Sequence, residues 1–72
     1  MSFQAYLDNV QEKTGKSPTD FEKLAEQKGF VSKGEIVKGI KPTEIINWLK
    51  NDFNIGHGHA TAIYAYIKGK RT

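Results

Sequence analysis

The 72 residues contain no cysteine, so neither a disulfide framework nor a thiolate zinc site can hold the chain together. No apolar run approaches the ~18 residues of a membrane span. Met1-Ser2-Phe3-Gln4 also lacks the basic start and apolar stretch of a secretory signal. A cytoplasmic protein with no membrane partner is the expectation. Charge of one sign is scarce as well, since the net value is only +3. Residues 1–36 carry five lysines against six acids, or −1, and residues 37–72 carry six Lys/Arg against two acids, or +4. Three of those cations, Lys68, Lys70 and Arg71, close the sequence, where they complement the dipole of a helix end.

A chain of this length buries only ~60% of the surface it exposes when unfolded. One domain spanning 1–72 is therefore expected, stabilised by packing, by capped helices or by self-association.

What is present is helical rhythm. Ser2 is a candidate N-cap, and Phe3, Tyr6, Leu7 and Val10 fall at spacings of three and four, which predicts a helix over 3–14 ending at Gly15. Ser17-Pro18-Thr19-Asp20 is the clearest start signal in the sequence. It combines a capping hydroxyl, proline at the first helical position and an acid in the first turn. The helix it opens runs over 18–28, with Phe21, Leu24 and Ala25 as its stripe and Gly29 as its stop. Pro42 and Glu44 open a third helix carrying Ile45, Trp48, Leu49 and either Asp52 or Phe53, with Asn54 as a left-handed terminator. A fourth starts between Gly56 and His59, carries Ala60, Ile63, Tyr64 and Ile67, and ends near Gly69. Between the second and third, Gly29, Gly34 and Gly39 interrupt the apolar residues. That pattern predicts an irregular connection over 30–41, pinned to the core by Phe30 and Ile36. Ser32, with Glu35 as capping-box partner, opens a short helical turn there.

The predicted fold is all-α: a compact array of three to four main helices plus that short turn. The last two helices form a hairpin resembling a helix-turn-helix. The predicted core is Phe3, Tyr6, Leu7, Phe21, Leu24, Ile45, Trp48, Leu49, Phe53, Ile55, Ile63 and Ile67. Trp48 reads as a core anchor rather than a stacking platform. Tyr64 and Tyr66, two apart on a helix, cannot both face inward, so one is expected at the surface.

One segment carries chemistry. Asn54-Ile55-Gly56-His57-Gly58-His59-Ala60 gathers both histidines of the chain with two glycines between two helices. The amides opening the last helix and its positive dipole end suit an anion such as phosphate. The plainest reading is a tight corner in which one histidine caps the last helix or packs beside Trp48. A metal site is disfavoured and none is assigned, because the histidines lie two apart rather than three or four, and zinc takes three or four ligands. No nucleophile–base arrangement is legible, so no enzyme and no cofactor is assigned. Asn54-Ile55-Gly56, with Ala60 and Ile63 behind it, is similar to the helix-hairpin-helix motif, with Asn in the first glycine position. In that motif turn amides hold phosphates without reading sequence.

The blocks Tyr6-Leu7-Asp8-Asn9-Val10, Lys13-Thr14-Gly15-Lys16-Ser17-Pro18, Phe21 through Gly29, and Trp48-Leu49-Lys50 through Asp52-Phe53 to Gly56-His57-Gly58-His59-Ala60 resemble a small bacterial family of uncharacterised domains. Asn54 stands where that family commonly has Gly, and 30–41 departs from its pattern. The resemblance implies the domain boundaries and no activity.

The expectation is a binding domain that contacts nucleic acid without sequence preference. Asn54, Gly56, His57, Gly58 and His59 would serve at the turn, and Lys68, Lys70 and Arg71 at the tail. The alternatives are protein interaction or self-association through an exposed tyrosine and Ile46, and a phosphate- or metal-dependent activity at His57 and His59.

Overall fold

The computed structural model describes residues 3–69, as four helices and one minimal hairpin. In chain order these are α1 (Phe3–Thr14), α2 (Pro18–Lys28), β1 (Val31–Ser32), β2 (Glu35–Ile36), α3 (Pro42–Phe53) and α4 (His57–Lys68). The fold is an all-α array, and the four helices lie where the periodicity places them. The Ser2 cap lies outside the described residues.

Local chemistry sets the helix ends. At α2 the Asp20 amide donates to Ser17 Oγ at 3.3 Å, while Asp20 Oδ2 accepts from the Ser17 amide at 3.0 Å, a reciprocal capping box. The helix closes on Gly29, in the left-handed conformation at φ 88°. The Gly29 amide donates to Glu26 O and the Phe30 amide to Ala25 O, which satisfies two terminal carbonyls. At α3 the Glu44 carboxylate accepts from the Lys41 amide at 2.8 Å. Lys41 has no acceptor to return, so only half of that box is made.

Residues 30–41 contain a hairpin rather than the expected helical turn. Val31 pairs with Ile36 and Ser32 with Glu35, antiparallel, and the Val37 amide donating to Phe30 O extends the pairing. Lys33 and Gly34 both have positive φ, 53° and 79°, which defines the two-residue turn whose twist matches paired strands. A capping box at Ser32–Glu35 requires negative φ between them, so the two readings exclude each other. The expected anchoring is present: Phe30 and Ile36 pack against the core, and Val31 is buried within it.

The core gathers on α4. Ala60, Ala62, Ile63 and Ile67 are buried, and α4 packs against α1, α2, α3 and β2. Around it lie Leu7 and Val10, Phe21 and Ala25, Val31, Ile45, Trp48 and Leu49, with Ile55 from the α3–α4 turn. Phe3, Tyr6, Leu24 and Phe53, expected inside, are half-buried at the margin. On α4 the buried positions are alanine and isoleucine, while Phe21 from α2 and Leu49 from α3 fill the centre beside them. Tyr64 and Tyr66 are both half-buried, contrary to the expectation that one lies exposed. With neighbours on several sides, α4 has no wide solvent face to give either ring.

Two predictions follow from these ends and turns. Lys33 is a side-chain-bearing residue in a conformation that asparagine or glycine adopts at less cost. Lys33→Asn is expected to stabilise the domain by about 0.5 kcal/mol, read as a higher thermal midpoint. The Asp20 carboxyl is held below its ordinary 3.8, first by the Ser17 amide, then by the Ser17 hydroxyl, with smaller help from Lys23 and Lys16. Its folded pKa lies below the unfolded value, so its contribution is complete above 3.8 and vanishes as pH falls through the folded value. Urea denaturation of Asp20→Asn is expected to show a deficit at neutral pH that closes in acid.

Candidate functional site

The turn between α3 and α4 is built by three consecutive residues with different tasks. Asn54 adopts the left-handed conformation, φ 53° and ψ 46°, and so ends α3 as glycine would. Ile55 is buried and ties the turn to the core. Gly56, extended at φ −72° and ψ 166°, is the N-cap of α4, and the Ala60 amide donates to its carbonyl at 2.9 Å.

The first intrahelical bond of α4 therefore begins at Ala60, and the amides of His57, Gly58 and His59 precede it. Glycine brings no side-chain acceptor, and no side chain caps this helix. Gly56, His57 and Gly58 are exposed and His59 is half-buried, so the turn that carries these donors lies at the surface. Each helix N-terminus carries roughly half a positive charge on such amides. The first turn of α4 contains no acid that would neutralise it.

The two histidines part company. Two residues along a helix turn the chain by about 200°, so they leave opposite sides of α4. His57 is exposed, and its carbonyl accepts from Thr61 Oγ1 at 2.8 Å. His59 is half-buried against Tyr6 of α1, with ring centroids 5.2 Å apart at an interplanar angle of 83°. Neither caps the helix, and the ring that meets His59 belongs to Tyr6, not Trp48, which corrects the expectation for this corner. Among the described residues no group of three His, Cys, Asp or Glu stands close enough to hold a metal ion.

Tyr6 was not legible as a neighbour of this segment, being about fifty residues away in a different helix. It also backs the turn, because a Cβ built on Gly58 would lie 3.4 Å from Tyr6 Cε1. The structure does not bring Lys68 to the turn. It ends α4, eleven residues beyond His57, or roughly 16 Å along the axis. There its Nζ lies 6.0 Å from the centre of the Tyr64 ring. Lys70 and Arg71 lie outside the described residues.

These features define a small all-α domain with an uncapped helix start at its surface. The chain belongs to the family described as a domain of unknown function, DUF4287, whose model matches residues 2–69. No curated protein and no solved structure matches the chain.

Gly58 lies within the first turn of α4, and its nearest neighbour is at ordinary contact distance. Gly58→Ala is expected to stabilise the domain by about 0.5 kcal/mol through helix propensity. Its effect on the His59 ring resonances tests the Tyr6 contact.

Proposed function

We propose that this domain binds the phosphate backbone of nucleic acid, without reading base sequence, through the first turn of α4. One observation carries the reading: three successive amides, of His57, Gly58 and His59, open α4 with no side-chain cap, on a turn whose Gly56, His57 and Gly58 are exposed. Backbone donors converging at a positive dipole end suit a phosphate oxygen, and they discriminate charge and shape rather than sequence. Gly56 and Gly58 add no side chains of their own to that approach, and exposed His57 supplies a further donor.

The basic C-terminus enters as a second contact, distant from the first. Lys68 lies at the far end of α4, with Lys70 and Arg71 following in sequence. A backbone-tracking ligand could meet both ends, whereas a single phosphate meets only the turn. Self-association through an exposed tyrosine has less support, because Tyr64, Tyr66 and Ile46 are all half-buried.

Gly56→Asp separates the reading from its rivals. The backbone at Gly56 lies in a region open to any L-residue, and a Cβ there would meet nothing closer than His59 Nδ1 at 3.8 Å. A carboxylate at this N-cap occupies the amides itself. The variant is expected to be slightly more stable than the parent and to bind duplex DNA about tenfold more weakly at about 50 mM salt. Amide shifts of residues 57–59 during DNA titration provide the readout. Absence of binding at that salt, or equal affinity of parent and variant, rejects the proposal.

A further inference from the structure

The net charge of the chain is concentrated in one segment. Residues 28–43 hold four lysines, Lys28, Lys33, Lys38 and Lys41, against the single acid Glu35, whereas the other residues hold seven Lys/Arg and seven acids. The whole excess of +3 therefore resides in the end of α2, the hairpin and the approach to α3.

Three of the four lysines precede a glycine, in Lys28-Gly29, Lys33-Gly34 and Lys38-Gly39. Each pair sits at a turn: the close of α2, the hairpin tip, and the bend where the Ile40 amide donates to Val37 O. All four lysines are exposed. Because the Val37 amide donates to Phe30 O, Gly29 and Lys38 flank the base of the hairpin. Lys33 stands at its tip, roughly 10 Å away at the rise of three strand residues.

The domain makes little use of these charges. Lys28 Nζ stands 3.9 Å from Asp52 Oδ2, with both side chains half-exposed. Lys33, Lys38 and Lys41 have no carboxylate within ion-pair reach among the described residues. The carboxylate of Glu44, the acid nearest to Lys41 in sequence, accepts from the Lys41 amide instead. Lys33 also holds φ 53°, a conformation that asparagine or glycine adopts at less cost. A long charged side chain kept in a costly conformation at an exposed tip points to a ligand, since the fold gains nothing from it.

The rest of the surface chooses among polyanions. Residues 32–35 at the tip carry no apolar side chain, because Phe30, Val31 and Ile36 pack on the core. The tip thus has nothing to insert into a lipid surface. Strands of two residues offer too short an edge to pair with an extended acidic peptide. Duplex DNA carries one negative charge per ~1.7 Å of axis, so lysines spread over ~10 Å meet several phosphates at once.

We propose that the hairpin, with Lys33, Lys38 and Lys41, is a contact surface for the phosphate backbone of nucleic acid and supplies much of the salt-dependent affinity. The choice of partner rests on the reading of the α4 turn. The surface does not include that turn, so the two contacts can be told apart.

The test is a titration of the ¹⁵N-labelled domain with duplex DNA at about 50 mM salt, with affinities repeated at rising salt. Amides of residues 32–41 are expected to shift saturably. The double variant Lys33→Asn, Lys38→Gln is expected to bind about tenfold more weakly and to lower the slope of log affinity against log salt by about two. Lys33→Asn relieves the turn and Lys38 is exposed, so folding is not at stake. A charge-matched control, Lys13→Gln with Lys23→Gln, alters exposed positions on α1 and α2 and is expected to keep the parent's slope. An unchanged slope in the hairpin variant, with amides 57–59 still moving, overturns this proposal and spares the α4 reading. Hairpin amides that move while 57–59 stay still do the reverse. Equal loss in the control also overturns the proposal, as does absence of DNA binding. So does tighter binding to phosphatidylglycerol vesicles than to DNA.

Discussion

The fold depends on burying a helix that has almost no polar side. Between His57 and Lys68, α4 carries no charged residue, and Ala60, Ala62, Ile63 and Ile67 are all withdrawn from water. A helix apolar around most of its circumference cannot lie on a surface; it has to be surrounded. The remaining elements do this, with α1, α2, α3 and β2 each against a different part of it. Alanines at two of its buried positions let neighbouring backbones come close, and Ile63 fills the space where they converge. The lack of disulfides and the short chain make this single convergence the main source of stability.

The same constraint shapes the turn before α4. Once α4 is fixed among its neighbours, the chain must leave α3, reverse and enter α4 within three residues. Asn54 reverses it, Ile55 anchors it and Gly56 enters the helix. A serine or aspartate at Gly56 would satisfy these steps equally well and would cap the helix too. Its absence leaves the start of α4 with donors facing water, at little energetic cost because water replaces the cap.

Much of this architecture was legible in the chain, for identifiable reasons. Ser17-Pro18-Thr19-Asp20 fixes the start of α2 by hydrogen bonds among near neighbours, and Asn54 ends α3 by a property of its own backbone. Information of that kind survives in sequence. The hairpin is masked in the sequence because Ser32 and Glu35 have capping-box spacing, yet the residues around Lys33-Gly34 are arranged symmetrically. Val31 mirrors Ile36, and Phe30 mirrors Val37. That symmetry, centred on a pair ending in glycine, was the signal that favoured strands. Leu24 and Phe53 were placed too deep because periodicity gives the direction of a side chain but not the reach of its neighbours. At the candidate site, the exposed glycine turn could be anticipated from composition. The contact of His59 with Tyr6 could not, since it arises only when α1 docks against α4.

Two unsatisfied sets of donors remain, and they differ in kind. The α4 amides open an exposed turn, so their lack of a cap costs the fold little and gives no measure of how strongly they would hold an anion. The Trp48 N–H is sealed from solvent and carries a penalty that the folded state bears continuously. Replacing Trp48 by an aromatic ring without a donor would remove that penalty while keeping most of the packing with Phe30 and Phe53. A purely structural role for position 48 would therefore be served by phenylalanine with less loss than its difference in volume alone implies. The indole nitrogen at this position is a cost that the edge-on packing with Phe30 and Phe53 has to outweigh.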